Sequence, residues 1–367
     1  MGHRLSHETK STASAGHGLR GGWFLRDFFI MLVSALVLFG LVTQLLWYVA
    51  PRQLDRRVLV RIPEGATLRR ISAILEDQGL TRDARRFELA ARAFRLDSRL
   101  QAGLYEFGPD FSEMEVLLVL KSGEVARRRL TVPEGYRATQ IAALLDGVLG
   151  IDSGEFMELV HDPEFISEKG LSAPSLEGYL HPDTYHFRLD SDARSTIERM
   201  VGETLSFFDG GMRARADSLG LTRHQVLTLA SIIESEAMLD SERGRISAVY
   251  HNRLERGWRL EADPTVRYAL GNYRRKLYYG DLDADSPYNT YRNAGLPPGP
   301  ICSPGRASIR AALYPTRDSR DFFFVANGDG SHTFSESYRE HIEAQQRTTL
   351  ERKDERAELP LDPDSDG

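Results

Sequence analysis

Hydrophobic positions follow three different patterns along this chain of 367 residues. An uninterrupted apolar run, residues 28–50, contains no charged side chain and predicts one membrane-spanning helix. After it, short apolar stretches alternate with segments whose apolar residues recur every three or four positions, which predicts strands and amphipathic helices. The final residues, 351–367, are polar and acidic, and we expect them to be disordered. The pattern therefore predicts an α+β protein with a single N-terminal transmembrane helix.

The apolar run has the features of an uncleaved membrane anchor. Trp47 and Tyr48 lie where an interfacial aromatic belt is expected, and Pro51 is predicted to end the helix. A cleavable signal peptide is the alternative, but the run exceeds the roughly 7–15 apolar residues of such a peptide and no small-residue cleavage site follows. Residues 1–27 form a short N-terminal arm. Basic residues are nearly balanced on the two sides of the helix, so their count does not decide its orientation.

An internal repeat with an offset of 70 residues follows the apolar run. One copy, "IPEGATLRRISAIL", begins at Ile62, and the other, "VPEGYRATQIAALL", begins at Val132. Each copy predicts a strand, a Pro-Glu-Gly turn and an amphipathic helix. Between the copies we expect a second helix, a strand and a third helix that ends at Gly123. Residues 58–130 are therefore expected to form a small α+β module, and residues 131–350 a larger α+β domain.

The larger domain centres on a predicted helix with the sequence "RHQVLTLASIIESEA", capped by Thr222. At about 100° per residue, Glu234 and Glu236 lie on opposite margins of the apolar stripe of this helix, about 160° apart. The two carboxylates therefore cannot both face one bond, and helical geometry does not rank them. Most helix glutamates are simply solvated. The stripe consists of Val226, Leu229, Ala230, Ile233 and Ala237.

A segment rich in Pro, Gly, Tyr and Asn, residues 286–305, follows an Asp-Pro turn predicted at Asp263. It has neither the low complexity of a linker nor helical periodicity, so we expect a shaped surface loop. Some of its rings and amides suit the hydroxyl and acetamido groups of sugars, although a purely structural role stays open for them. A β-hairpin around residues 327–330 is expected to close the domain. The sugar-binding candidates are Tyr288, Asn289, Thr290 and Tyr291.

Charge and motif content argue against several other functions. The formal net charge is −6, and no basic field indicates binding to nucleic acid. The single cysteine, Cys302, is predicted to be a packed small side chain, and it permits neither an internal disulfide nor a paired-cysteine zinc site. Histidines lack metal-ligand spacing, and neither a Gly-x-Ser-x-Gly elbow nor a P-loop occurs. We therefore expect no metal and no cofactor.

Five segments stand out together, namely "LEGYLHPDTYHF", "LASIIESEA", "DPTVRYALG", "SPYNTYRNAGLPPGPICSPG" and "HTFSESYREH". With them the chain, from the membrane helix to about residue 350, resembles the endolytic murein transglycosylases, the YceG-like family. The resemblance implies a LysM-like module and a catalytic domain on the extracytoplasmic side of the inner (cytoplasmic) membrane. It implies a lytic transglycosylase that cleaves the N-acetylmuramic acid–β-1,4–N-acetylglucosamine bond within nascent peptidoglycan strands, leaves a 1,6-anhydro end and terminates strand elongation. Implied partners are glycan strands and peptidoglycan synthases or other elongation and division proteins.

Carried over from the family, the catalytic glutamate falls on Glu234, with Glu236 in a supporting role. As a general acid, Glu234 needs a pKa raised by partial burial. A second carboxylate is unnecessary if the N-acetyl oxygen of the substrate attacks. Two alternatives stay open, a lysozyme-type muramidase with Asp263 as second carboxylate and a non-catalytic membrane-anchored cell-wall binding module. The substrate-binding positions implied by the resemblance are Ser235, Glu236, Asp263, Thr265, Tyr288, Asn289, Thr290 and Tyr291.

Overall fold

The computed structural model describes residues 20–50, 52–53, 56–271 and 276–358. The chain divides into two compact units, Met1–Ala126 and Arg127–Gly367, each with its own hydrophobic core. The predicted end of the first helix at Pro51 lies outside the described residues, as do residues 1–19 of the predicted arm.

The first unit combines helices with two small antiparallel strand pairs. Strand β2 pairs with β3, with Val60 opposite Tyr105, and β1 pairs with β4. Two helices connect β2 to β3, so the order is strand, helix, helix, strand. Its described elements are α1 (Arg20–Val49), β1 (Arg52–Gln53), β2 (Val58–Ile62), α2 (Leu68–Asp77), α3 (Ala84–Ala93), β3 (Gly103–Phe107), β4 (Asp110–Phe111) and α4 (Glu113–Ser122).

Helix α1 is long and apolar enough to cross a membrane. Its window Arg26–Thr43 has a mean hydropathy of 1.9 and no buried residue. The helix begins at Arg20, within the predicted arm. Tyr48 differs from the expectation of an aromatic belt, because it is 6% exposed and its hydroxyl donates a 2.8 Å hydrogen bond to the Arg86 carbonyl of α3. Its ring belongs to the core of the first unit.

The second unit is mostly helical and contains two further antiparallel strand pairs. Strand β5 pairs with β6, and β7 pairs with β8 in the predicted hairpin. The mixture of helices and antiparallel strands in both units confirms the α+β class. The described elements are β5 (Arg127–Thr131), α5 (Ala138–Leu149), α6 (Ser153–His161), α7 (Pro163–Glu168), β6 (Thr184–Arg188), α8 (Ala193–Phe207), α9 (Gly210–Ser218), α10 (Arg223–Glu236), α11 (Arg243–Glu255), α12 (Asp263–Leu270), α13 (Arg306–Leu313), β7 (Phe323–Ala326), β8 (His332–Ser335) and α14 (Tyr338–Glu358).

The internal repeat forms the strand, turn and helix that its pattern predicts. Strands β2 and β5 lead into turns whose glycines, Gly65 and Gly135, have φ values of 69° and 76°, in the left-handed region that favours glycine. Helices α2 and α5 follow. The Thr67 hydroxyl accepts the Arg70 N–H at the start of α2, whereas Arg137 occupies the equivalent position before α5 and caps that helix without a side-chain hydrogen bond.

The central predicted helix is α10, and its start agrees with the sequence. The Thr222 hydroxyl accepts the Gln225 N–H, while the Gln225 side chain accepts the Thr222 N–H, a reciprocal capping box. Burial of this helix is wider than the predicted stripe, because Thr228, Ser231 and Ile232 are buried as well. Helix α10 packs against α11, α12 and α13. It is therefore enclosed by its neighbours along most of its length.

Two boundaries differ from the sequence-based expectation. Asp263 does not lie in an isolated turn but is the first residue of α12, with Pro264 in the first helical turn, where a missing N–H costs no hydrogen bond. The predicted disordered tail, 351–367, begins within α14, which continues to Glu358. Residues 359–367 lie outside the described part of the chain.

Candidate active site

The last turn of α10 carries its two glutamates into different surroundings. One oxygen of Glu234, Oε2, accepts the Gly305 N–H at 2.9 Å and lies 3.3 Å from Nη1 of Arg243. The Glu234 and Arg243 side chains are 7% and 10% exposed. Burial and the nearby charge of Glu234 raise the pKa of Glu134, which comes from the Pro-Glu-Gly turn before α5. Glu234 is thus part of a buried ion pair that joins α10, α11 and two loops.

Glu236 lies in a setting typical of an acid catalyst. Burial, followed by the negative charge of Asp263, raises the pKa of Glu236 to about 7, against the lowering effects of a Tyr250 hydrogen bond and the Arg267 charge. The Tyr250 hydroxyl donates that bond to Oε1 at 3.2 Å. A carboxyl group with a pKa near 7 is substantially protonated at neutral pH. Glu236 can therefore donate a proton there.

An open cleft of about 480 Å³ lies at the end of α10. Its walls come from the starts of α5 and α12, the end of α10 and the loop before α13. Glu236 lines this cleft and Glu234 does not. The lining residues are Gly135, Arg137, Gln140, Ser235, Glu236, Asp263, Pro264, Arg267, Ile301 and Cys302.

A hydrogen bond from the shaped loop, residues 286–305, holds Asp263 in place. The Tyr291 hydroxyl donates a 2.7 Å hydrogen bond to Oδ1 of Asp263. Burial and the charge of Asp263 raise the pKa of Tyr291, so the phenol keeps the proton that it donates. Asp263 is exposed on the cleft side. The contact places a fixed negative charge beside the carboxyl group of Glu236.

Three of the residues predicted to bind substrate instead hold the loop together. Thr265 and Thr290 are buried, their hydroxyls lie 2.9 Å apart, and the Thr290 hydroxyl accepts the Ala262 N–H at 3.0 Å. Asn289 is fully buried, and its amide nitrogen donates to the carbonyls of Leu282 and Ala284, both at 2.8 Å. These polar groups are used within the protein, so their contacts favour a structural role.

Two other predicted residues differ in their relation to the cleft. Ser235 is exposed and lines the cleft, and its hydroxyl donates a 2.8 Å hydrogen bond to the Ser231 carbonyl. The Tyr288 ring packs against Tyr268 with a centroid separation of 4.8 Å and is not among the cleft-lining residues. The sequence-predicted set is therefore divided, with Ser235, Glu236 and Asp263 in the cleft.

Several residues of the candidate site escaped the sequence analysis. Arg137 and Gln140 belong to the second copy of the repeat, whose pattern indicated only a strand, a turn and a helix. Arg267 lies four residues after Asp263, a spacing that brings two side chains onto one helix face and could have indicated its position. Tyr250 lies 14 residues from Glu236 on another helix, and no local pattern connects the two.

Cys302 has the packed position that the sequence predicted. It is 3% exposed, and burial raises the pKa of its thiol to about 12. Its sulfur lies 3.5 Å from the Ser235 hydroxyl. The thiol is therefore uncharged at neutral pH, and it fills space in the cleft wall.

The comparisons with known proteins agree on one family. Residues 60–347 match the model of the YceG-like family. The endolytic murein transglycosylase of Bacillus subtilis (strain 168) is 32% identical, over 79% of this chain and 84% of that protein. Its counterpart in Streptococcus pneumoniae serotype 2 is 29% identical over 77% of this chain, which spans 57% of that longer protein.

A solved structure gives the same answer. The crystal structure of a yceG-like protein from Listeria monocytogenes has a TM-score of 0.55 and 36% sequence identity, over 79% of this chain and 99% of that chain. The family match covers all the cleft-lining residues and, in the first unit, residues 60–126. The chain therefore belongs to the YceG-like family.

Proposed function

We propose that this protein is an endolytic lytic transglycosylase of peptidoglycan. It cleaves the β-1,4 bond between N-acetylmuramic acid and N-acetylglucosamine within nascent strands, leaves a 1,6-anhydro end and thereby terminates strand elongation. The relatives named endolytic murein transglycosylase support the reaction class. The observation that carries the proposal is the carboxyl group of Glu236, which lies in an open cleft and has a pKa raised to about 7.

The contacts favour Glu236 over Glu234 as the proton donor. Glu234 was the candidate carried over from the family motif. Its Oε2, however, is held by the Gly305 N–H and Arg243, and Glu234 does not line the cleft. Glu236 faces the cleft and has a raised pKa. We therefore assign proton transfer to Glu236 and a structural role to Glu234.

In the proposed mechanism Glu236 donates its proton to the glycosidic oxygen as the bond from that oxygen to C1 of the muramyl unit breaks. The N-acetyl oxygen of the same sugar attacks C1 and takes the place of a protein nucleophile. The 6-hydroxyl then attacks C1, the N-acetyl oxygen leaves, and the carboxylate of Glu236 accepts the hydroxyl proton. The ring closes, no water is consumed and Glu236 ends protonated as it began.

Other cleft residues have supporting roles in this proposal. Asp263 keeps Glu236 protonated through its negative charge. Arg137 and Arg267 line the same cleft, and their guanidinium groups suit the carboxylates of peptides attached to the muramyl units. The catalytic cleft thus combines one proton donor with two cationic groups suited to the acidic peptides of the substrate.

The N-terminal parts are assigned by the same proposal. Helix α1 anchors the protein in the inner (cytoplasmic) membrane, and the second unit lies on the extracytoplasmic side, where the glycan substrate occurs. Within the first unit, the elements from β2 to α4 are assigned to the predicted LysM-like module at 58–130, an interpretation supported by the strand, helix, helix, strand order from β2 to β3. Synthases and other elongation or division proteins are candidate partners of the anchored enzyme.

Digestion of purified peptidoglycan by the full-length protein in detergent tests the function. Mass analysis of the products should find 1,6-anhydro ends with the wild type and a loss of roughly 100-fold or more in rate with Glu236→Gln. Glu234→Gln should retain product formation in the fraction that stays folded. Reducing ends would instead support the muramidase alternative. A fully active Glu236→Gln variant would refute the assignment of the proton donor, and an inactive wild type would favour a binding module.

A further inference from the structure

A second groove lies on the same unit as the catalytic cleft and plays no part in the mechanism above. Its volume is about 340 Å³, and we call it the outer groove. Two large aromatic side chains stand in it with much of their surface exposed, Trp258 at 40% and Tyr338 at 65%. Exposed aromatic surface in a groove is typical of a binding site. The lining residues are Arg253, Trp258, Arg259, Glu261, Phe323 and Tyr338.

The rings of the outer groove are combined with charged groups. Arg253 and Glu261 form an ion pair of 3.1 Å, with side chains 9% and 47% exposed, and Arg259 is exposed. A pyranose ring presents an apolar C–H face and a polar rim of hydroxyl and acetamido groups. Aromatic faces and hydrogen-bonding side chains together match both parts of such a ring, whereas an aliphatic partner would cover the exposed Arg259 guanidinium without offering it a hydrogen bond.

Packing holds the Trp258 ring in one position. Its centroid lies 5.1 Å from that of Phe322 and 6.2 Å from that of Phe323, and the Arg256 guanidinium lies 5.6 Å from the Trp258 ring centroid. A fixed ring loses little conformational freedom when a ligand stacks on it. The outer groove is therefore preorganised.

The outer groove is adjacent to the catalytic cleft along the chain and in space. Glu261 is two residues before Asp263, so their Cα atoms are at most about 7 Å apart. The Glu261 N–H bonds to the Thr290 carbonyl at 3.2 Å, and the charge of Glu261 contributes to the raised pKa of Tyr291, the partner of Asp263. Glu261 also has a φ of 51°, a left-handed conformation uncommon for residues other than glycine. One short segment thus forms the boundary between the two sites.

We propose that the outer groove is a glycan-binding subsite, in which Trp258 stacks on a sugar of the strand that occupies the catalytic cleft. The inference rests on the proposed function and extends it. An enzyme that cuts within strands gains from binding sugars beyond the two units at the scissile bond, since distant binding energy positions the reacting bond. The outer groove supplies such a contact one short chain segment away from Asp263.

Intrinsic fluorescence tests binding directly. The protein contains three tryptophans, Trp23, Trp47 and Trp258. In the full-length Glu236→Gln protein in detergent, Trp23→Phe and Trp47→Phe leave Trp258 as the only tryptophan. Titration with peptide-free glycan strands should change the emission of Trp258. Adding Arg259→Ala should weaken binding, so that the apparent Kd rises about tenfold. Unchanged emission on titration would overturn the proposal.

Kinetics test whether the groove serves the reaction. For Trp258→Leu we expect KM for long strands to rise about tenfold and KM for a tetrasaccharide to rise much less. Only the long substrate reaches the groove. The matched control is Tyr314→Leu, which replaces an aromatic side chain elsewhere on the unit that is 54% exposed. It should change neither KM value. Arg259→Ala, which removes no aromatic packing, should raise KM in the same direction.

Equal losses on long and short substrates would refute the subsite, as would no loss on either. If the wild type forms no anhydro ends, the proposed function fails, yet the fluorescence titration still decides whether the groove binds glycan. If anhydro ends form but Trp258 emission and the length dependence are unchanged, the function stands and the subsite is refuted.

Discussion

The Tyr291 hydroxyl and Oδ1 of Asp263 lie 2.7 Å apart, and this hydrogen bond ties the shaped loop to the start of α12. It holds the Asp263 carboxylate beside Glu236, where its charge is the second-largest cause of the raised pKa of Glu236, after burial. Tyr250 contacts Glu236 from α11. The protonation of the proposed acid therefore depends on groups from three different segments.

Replacing Asp263 by Asn should move the pH dependence of the reaction. The negative charge of Asp263 raises the pKa of Glu236, so its removal lowers that pKa. Activity requires protonated Glu236 and falls as pH rises through its pKa of about 7 in the wild type. In Asp263→Asn we expect this fall roughly one pH unit lower, measured as kcat/KM against pH.

The same variant separates the two reaction classes. A muramidase that uses Asp263 as its second carboxylate should lose activity at every pH, whereas the transglycosylase should retain much of its rate at acidic pH. Asp285→Asn, at an exposed position outside the cleft lining, is the matched control and should leave the profile in place. An Asp263→Asn profile with an unchanged midpoint would contradict the electrostatic role of Asp263.

Removing the Tyr250 hydroxyl should shift the profile in the opposite direction. Its hydrogen bond to Glu236 lowers the pKa of that carboxyl, so Tyr250→Phe should raise the pKa and extend activity to higher pH. The buried ring is preserved, and we expect the free energy of unfolding to fall by only about 1 kcal/mol. A profile that moves to lower pH would show that the bond does not act on the proton donor.

Local sequence signals were sufficient for much of the fold. The Thr222 cap, the periodicity of α10, the two repeat copies and the β7–β8 hairpin each depend on residues close together in the chain, and all were found. The start of α12 was missed because an Asp-Pro pair begins both turns and helices. Tyr48 was misjudged because its burial depends on contact with α3.

The candidate site could be predicted only in part. The motif pointed to the helix end that borders the cleft and to the neighbouring loop, but it did not separate Glu234 from Glu236, because their difference comes from tertiary partners. Arg243 and the Gly305 N–H occupy one carboxylate, while Tyr250 and Asp263 surround the other. Thr265 and Thr290 looked available in the sequence, yet they bond to each other within the protein.

Breaking the buried Glu234–Arg243 pair should cost more stability than breaking a surface pair. Arg243→Met leaves a buried carboxylate unpaired, and we expect the free energy of unfolding to fall by about 3 to 5 kcal/mol. The double variant with Glu234→Gln should recover part of the loss. Arg194→Met removes an ion pair to Glu168 with side chains 47% and 46% exposed and should cost much less, because solvent screens that pair. Chemical denaturation measures the free energy of unfolding of all three variants. Equal losses for Arg243→Met and Arg194→Met would contradict a structural role for the buried pair.

Gly178 should not tolerate a side chain. Its φ is 79°, and a Cβ there would collide with Pro300, in the loop that forms part of the cleft wall. Gly178→Ala should lower the free energy of unfolding by about 2 kcal/mol or more, from left-handed strain and overpacking together. The matched control is Gly202→Ala within α8, where a Cβ meets nothing within 4 Å and the expected change is a gain of about 0.5 to 1 kcal/mol. A neutral Gly178→Ala would mean that the Pro300 loop can move aside.

Glu177 should make folding stability depend on pH between the acidic and neutral ranges. It is 6% exposed, both its oxygens accept the Ala138 N–H at the start of α5, and burial raises its pKa to about 7 from 4.5. Because the folded-state pKa is the higher one, its stabilising contribution is complete below about pH 4.5 and is lost as pH rises through about 7.

Glu177→Gln keeps an oxygen for the Ala138 N–H and removes the titration. We therefore expect it to match the wild type near pH 4 and to exceed it at about pH 8.5 by up to about 3 kcal/mol, measured by denaturation across that range. The contribution of Glu236 is common to both proteins and cancels in their difference. Glu164→Gln, at an exposed position, should reproduce the wild-type pH dependence. A constant difference between Glu177→Gln and the wild type at all pH values would mean that Glu177 stays ionised when buried.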